Sequence, residues 1–155
     1  MDVGCYCVNN ARLIAGEPAQ VTAQQVLGGD GVDVAFAATI SFPGDVLAHF
    51  DAGFTLAARD ELEVVGDEGT LFLDDPWHSR GPLIELRRAD CVERIRTPVV
   101  DSYRLEAENM SAAIRGETQL LLGREDAVGQ ASTIEALYLA AGSGHAVTLA
   151  ARTAR

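Results

Sequence analysis

Val32-Asp33-Val34-Ala35-Phe36-Ala37-Ala38-Thr39-Ile40-Ser41-Phe42, then Pro43-Gly44-Asp45, then Val46-Leu47-Ala48-His49-Phe50-Asp51-Ala52-Gly53-Phe54, is the stretch that sets the architecture. Val32, Val34, Phe36, Ala38, Ile40 and Phe42 fall at every second position, and a period of two sends successive side chains to opposite faces of a strand. After the turn, Val46, Ala48, Phe50, Ala52 and Phe54 take up the same period. The pattern predicts an antiparallel hairpin with one strongly apolar face. Its other face, with Ala35, Ala37, Thr39, Leu47 and His49, is small and mixed, suited to solvent or to a second copy of the same sheet.

Working outward, Leu62–Val65 and Thr70–Leu73 flank Gly66-Asp67-Glu68-Gly69 and predict a second hairpin. Leu83–Leu86 and Val92–Ile95 across Arg88-Ala89-Asp90 predict a third, with a charged edge. Val21–Leu27 and Val147–Leu149 add a strand at each end, for a sheet of about seven or eight strands. Tyr103, Ala107, Met110 and Ile114 step at helical spacing after a capping Asp101-Ser102, and Gly116 follows as a stop. A last helix is expected from about 124 to 141, with Ala127, Ala131, Ile134, Tyr138 and Ala141 on its packing stripe. Asp74 to Pro82 reads as one long loop. The expected fold class is α+β: an open, mostly antiparallel sheet with helices packed on one face, in a single domain over residues 1–155.

The chain carries 23 acidic and 12 basic side chains, a formal charge of -11. Phosphate backbones and anionic membranes are held by clustered positive charge, so neither nucleic acid nor a membrane surface is expected as a partner. Every basic residue is arginine and alanine is abundant, a composition of high-GC bacterial coding. The three cysteines are an odd count, and Cys5 and Cys7 do not face each other on a helix, so buried thiols are expected in place of a disulfide framework. No set of His49, His78, His145 and the cysteines has metal-ligand spacing, so no metal is assigned. There is no apolar run of membrane-spanning length and no secretory leader, which makes the cytoplasm the expected compartment.

The first twelve residues, Met-Asp-Val-Gly-Cys-Tyr-Cys-Val-Asn-Asn-Ala-Arg, are polar where a packing helix should be apolar. Read as a helix, they stack Asp2, Tyr6 and Asn10 on one face. The run Asp2-x-Gly4-x-Tyr6, continuing through Asn10-Ala-Arg12 to Gly16-Glu17-Pro18, resembles the start of the second domain of the glucose-fructose oxidoreductase/inositol dehydrogenase/rhizopine-catabolism (Gfo/Idh/MocA) family. The later hairpins and the Ala-rich final helix keep the same order, so the resemblance spans most of the chain. It implies an aspartate and an aromatic acid beside a nicotinamide, with Asp2 and Tyr6 in those positions. A tyrosine where histidine is commoner resembles the glucose-fructose oxidoreductase and dimeric dihydrodiol dehydrogenase branches. The family also implies a preceding Rossmann half with a Gly-rich phosphate loop and a Glu-Lys-Pro segment, which this sequence does not contain. By the same resemblance the open sheet forms dimers or tetramers.

The chemistry is consistent with that assignment. Hydride transfer at an alcohol carbon needs a group that moves the hydroxyl proton, and Tyr6 is the candidate. A phenol titrates near 10, so work at neutral pH needs a neighbouring cation, which Asp2 cannot be. The resemblance assigns that cation to the lysine of the other half and an orienting role to Asp2. Asn10 and Arg12 are candidates for substrate hydroxyls, and Trp77 and His78 for the rim of a sugar-sized pocket. Each has a plain alternative as a packing, capping or anchoring residue.

The expected function is therefore the substrate-binding and oligomerisation half of an oxidoreductase that uses NAD or NADP on a sugar, polyol or diol. The chain alone should be inactive and hold no dinucleotide tightly, because Gly28-Gly29-Asp30-Gly31 leads into a strand and leaves no helix N-terminus for a pyrophosphate. Two rivals remain open on the sequence: a free-standing binding or assembly module without redox chemistry, and a small isomerase or hydratase using Asp2 and Tyr6.

Overall fold

The computed structural model describes residues 1–78, 80–81 and 83–150; Ser79 and Pro82 of the long loop lie outside them. The element order is α1 (Gly4–Ala15), β1 (Gln20–Leu27), β2 (Asp33–Phe42), β3 (Val46–Gly53), β4 (Glu61–Val65), β5 (Thr70–Asp74), β6 (Leu83–Arg88), β7 (Cys91–Arg96), α2 (Ser102–Ile114), α3 (Arg124–Ser143) and β8 (Val147–Thr148). The class is α+β, as expected, and every strand pairing is antiparallel. The strands form two four-stranded sheets, ordered β3-β2-β1-β8 and β4-β5-β6-β7, where the sequence suggested one sheet. Compactness likewise divides the chain into two units: Met1–Ala57 with the chain from Leu122 onward, and Ala58–Leu121.

The first unit holds the core. Phe36, Ala38, Ile40 and Phe42 on β2 are buried with Val21 on β1, Val8 on α1, and Ala136, Leu137 and Ala140 on α3. The two-residue period of β2 is thus the burial pattern of the sheet, and helices α1 and α3 cover the face it predicted. Phe36 stacks on Phe50 at 6.3 Å and meets the Tyr138 ring edge-on at 5.6 Å, which ties β2 to β3 and to α3. The hairpin turn closes because Gly44 (φ 79°) and Asp45 (φ 61°) both take left-handed backbone, a state open to glycine and tolerated by aspartate. The alternation predicts Phe54 and Val32 on the covered face, yet Phe54 lies beyond the end of β3 and Val32 ahead of β2, and both are exposed.

Register aligns Thr22, Thr39 and His49 in one row of the uncovered face, with Gln24, Ala37 and Asp51 in the next. That face is small and mixed as read from sequence, and His49 is exposed on it.

The packing stripe of α3 differs from expectation. Gly129, Thr133, Ala136, Leu137 and Ala140 are buried, while Ile134, Tyr138 and Ala141 border the core. Ala127 and Ala131 are exposed. The helix carries alanine on every side, so apolar spacing alone did not distinguish its faces. The stripe that is small enough to approach β1 includes Gly129 and a Thr133 whose hydroxyl is satisfied by the Gly129 carbonyl at 2.8 Å.

In the second unit no described residue is fully buried. One face of its sheet aligns Leu62, Leu73, Ile84 and Ile95. The other carries a charge ladder in which Arg87 lies 4.1 Å over the Phe72 ring and donates to Glu85, which also accepts from Arg94. Helix α2 is capped by Asp101, whose carboxylate accepts from the Arg104 N–H at 3.1 Å, as predicted. The stripe expected to pack does not: none of its residues is buried, and Tyr103 and Ile114 are largely exposed.

Candidate functional site

The site is built on α1. The helix starts at Gly4, with Val3 at the N-cap and no side-chain cap, so Asp2 lies in the turn ahead of it and not on a helical turn above Tyr6. Gly4, Val8 and Arg12, spaced by four, are the buried face. A Cβ at Gly4 would lie 3.4 Å from the Phe50 ring and 3.5 Å from the Ala52 side chain, so the helix start is seated closely on β3. The opposite face presents Tyr6, half exposed, and Asn10, whose Nδ2 donates to the Tyr6 carbonyl at 3.3 Å. Asp2 is exposed, and its carbonyl accepts from the Cys5 thiol at 2.9 Å. Burial, and then the Asp2 charge, push that thiol upward from its ordinary value. Cys5 and Cys7 are half-buried and Cys91 is exposed, so the expectation of buried thiols fails for Cys91; all three are free thiols.

Arg12 points the other way. Its side chain is 3% exposed and its guanidinium donates to Glu17 at 2.6 Å, Asp126 at 3.0 Å and Gln130 at 3.1 Å. Burial opposes the charge, but the hydrogen bonds and charges of Glu17 and Asp126 outweigh it and hold the guanidinium above its ordinary value. These donors are committed to tying α1 to α3, which disfavours the substrate contact suggested for Arg12. Gln130 completes the tie by donating Nε2 to the Cys5 carbonyl at 2.8 Å. Sequence reasoning missed Gln130, Asp126 and Glu17; the signal was a buried-face arginine at the fourth position after Val8, which needs acceptors.

A second polar group borders the start of the chain. Asp33 accepts from the Tyr138 hydroxyl at 2.7 Å and from the Met1 amino nitrogen at 2.7 Å, and that nitrogen also donates to the Tyr138 oxygen. Burial works against the Asp33 charge, yet these bonds bring its carboxyl below the ordinary value, and burial with the Asp33 contact pushes the Tyr138 phenol up to about 12. A cleft of about 370 Å³ lies here, lined by Gln25, Leu27, Gly31, Val32, Asp33 and Tyr138. The Gln25 Oε1 is buried without a hydrogen-bond partner among the described residues.

The remaining candidates, Trp77 and His78, belong to the second unit. The imidazole Nδ1 of His78 is 2.5 Å from Asp75 and 4.0 Å from Asp60, and the His78 N–H also reaches Asp75 at 3.2 Å. Partial burial works to raise the Asp75 carboxyl, and the two His78 bonds with nearby positive charge outweigh it, so it sits below its ordinary 3.8. Among the described residues, Asp60, Asp75 and His78 are the group whose ligand atoms converge, within 4.8 Å of one another. The Asp75–His78 bonds explain that convergence as a loop anchor, since Asp75 caps the turn that carries His78.

For a dinucleotide, the test is a phosphate cradle. Gly28–Gly31 forms a turn, with the Gly28 N–H bonded to the Val32 carbonyl at 2.8 Å, and runs into β2. No helix begins there, so this turn does not fit a pyrophosphate. Among the described residues no helix is long and apolar enough to cross a membrane.

Known proteins place this geometry. Residues 1–72 match the model of the GFO/IDH/MocA C-terminal domain. The D-xylose 1-dehydrogenase (NADP(+)) 2 of Haloferax volcanii is 33% identical over 96% of this chain and 47% of its own length. An uncharacterized oxidoreductase of Rhizobium meliloti is 31% identical over 93% of this chain and 46% of its own. Among solved structures, the aldose-aldose oxidoreductase of Caulobacter crescentus, complexed with glycerol, shares the fold with a TM-score of 0.84 at 21% identity, over 94% of this chain and 46% of that one. The chain thus spans about half the length of the relatives it matches. It belongs to the GFO/IDH/MocA family, as a C-terminal domain of that family.

Proposed function

We propose that this chain is the substrate-binding and assembly half of an NAD(P)-dependent oxidoreductase acting on a sugar, polyol or diol. The observation that carries the reading is the 33% identity with a D-xylose 1-dehydrogenase along 96% of this chain, from the α1 site to the final helix. Tyr6, half exposed on the outer face of α1, is then the general acid or base: its phenolic oxygen takes or returns the proton of the reacting hydroxyl. Asp2, in the turn that precedes the helix, orients that hydroxyl or the phenol. Asn10 lies on the same outer face, one turn beyond, within reach of a neighbouring hydroxyl. Trp77 and His78, in the second unit, remain candidate substrate contacts in this reading, the indole supplying a flat apolar surface for a sugar ring.

The nicotinamide, when bound, accepts or supplies hydride at the substrate carbon. The Gly28–Gly31 turn gives no cradle for its phosphates, so dinucleotide binding belongs to the other half of the intact enzyme, and this chain alone is inactive. The uncovered face of the first sheet is the assembly surface.

The test is an absorbance assay of nicotinamide reduction by the intact enzyme against a panel of aldoses, polyols and vicinal diols. Turnover of at least one of these classes is expected. An enzyme that turns over none of them, while reducing or oxidising an unrelated substrate class, would remove the substrate assignment.

A further inference from the structure

Gln130 lies on α3, 125 residues from the Cys5 carbonyl it contacts. An amide has one accepting and one donating end, and here each end has a distinct task. The oxygen accepts from Arg12 Nη1 at 3.1 Å, on the last turn of α1. The nitrogen donates to the Cys5 carbonyl at 2.8 Å, on the first turn. One side chain therefore fixes both ends of the helix that carries Tyr6, and its inner contact is to the residue immediately before Tyr6.

The surroundings make the amide difficult to replace. Arg12 is 3% exposed and shares its other donors between Glu17 and Asp126, so the guanidinium has a fixed position from which to hold the Gln130 oxygen. A Cβ at Gly129, the preceding residue, would come within 2.7 Å of Glu17 Oε1 and 2.9 Å of its Oε2, so a methyl there would have to displace the carboxylate that Arg12 holds. The approach of α3 to α1 at this point is set by polar contacts. The first turn of α1 has no side-chain N-cap of its own. Its orientation thus rests on the packing of Gly4 against β3 and on the bond from Gln130.

We propose that Gln130 is a positioning residue for Tyr6: by bridging the Arg12 guanidinium and the Cys5 carbonyl it sets the angle at which the first turn of α1 presents the phenol. The inference rests on the reading of Tyr6 as the proton-transfer group. A general acid or base is effective only within hydrogen-bond reach of its oxygen, and a shift of about 1 Å at a reacting group is enough to cost about 10²-fold in rate.

The experiment is a double-mutant cycle in the intact enzyme with Tyr6→Phe, Gln130→Met and the pair. Gln130→Met keeps the volume and removes both polar ends. It should lower kcat by about 10-fold to 10²-fold, leave KM for the sugar within about threefold, and move the limb of the pH–rate profile that disappears in Tyr6→Phe. In the Tyr6→Phe background the same change should have almost no further effect, because there is no phenol left to aim. Gln130→Glu, which keeps an acceptor for Arg12 but loses the donor to Cys5, supplies a second variant should the methionine form fail to fold; it should show the same loss. Equal losses from Gln130→Met with and without the phenol would overturn the inference while leaving Tyr6 in place. Unchanged turnover in Tyr6→Phe alone would instead overturn the reading of Tyr6 itself, and the positioning role with it.

Discussion

At the residue scale, α1 divides its polar groups: Arg12 is bonded to Glu17, Asp126 and Gln130 on the buried side, while Tyr6 and Asn10 lie on the opposite face. Tyr6 and Asn10 were legible because helical spacing places them on one face whatever the tertiary structure. Arg12 turns inward four residues beyond Val8 on the buried line of α1, and the sequence did not show this because its acceptors Asp126 and Gln130 lie more than a hundred positions away. The guanidinium network makes Gly129 a sensitive position. Alanine is favoured over glycine in a helix by about 1 kcal/mol. Overpacking of a fixed site costs about 1–3 kcal/mol. The second effect should win, because the atoms a Cβ would strike are held by the ion pairs with Arg12. Gly129→Ala should therefore lower the denaturation midpoint, and a raised midpoint by chemical denaturation would show that the network yields. Asp75 offers a pH test. Its carboxyl is depressed in the folded chain, so the stabilisation from its bonds to His78 is complete above the unfolded carboxyl's range and is lost as pH falls through the lower folded value. Carbon-13 NMR should find its midpoint below 3.8, rising toward that value in His78→Ala. A midpoint at or above the ordinary value in the unmodified chain would contradict the loop anchor.

Among the elements, the hairpins were readable because alternation and turn residues agree: β2 and β3 keep the register that Phe42, Pro43-Gly44-Asp45 and Val46 imply. The helices were readable in extent but not in orientation. In α3 the contrast between faces is weak, since alanine occurs on both, and the closest-packed line runs through Gly129, Thr133, Ala136, Leu137 and Ala140. In α2 the apolar spacing is real, yet nothing in the described chain buries it. Stability measurements separate the two cases. Leu137 is fully buried, so Leu137→Ala should cost about 2–5 kcal/mol. Ile114 is 79% exposed, so Ile114→Ser should change stability by less than about 0.5 kcal/mol. Comparable losses from both in urea titrations would mean that α2 is packed in solution.

For the whole molecule, the sequence indicated the family through the run from Asp2 to Arg12 and the order of its later landmarks, and similarity to a family member over 96% of the chain agrees with it. It did not indicate that the strands divide into two sheets, because hairpin signals are local and the pairing between hairpins is not. The uncovered face of the first sheet, with Thr22, Thr39 and His49 aligned across three strands, is the proposed contact between copies. Two such faces can meet about 10 Å apart about a two-fold axis. Light scattering after size exclusion should give a dimer or larger, and Thr39→Arg should shift it to monomer by placing an unpaired charge in the interface. A folded wild-type chain that is monomeric at tens of micromolar would exclude this face as the contact. The central claim is that this half supplies the proton-transfer group of a nicotinamide-dependent enzyme, and steady-state kinetics of Tyr6→Phe in the intact protein test it most directly. A fall in kcat of about 10² to 10⁴, with dinucleotide affinity little changed, is the predicted result; turnover equal to that of the unmodified enzyme would contradict it.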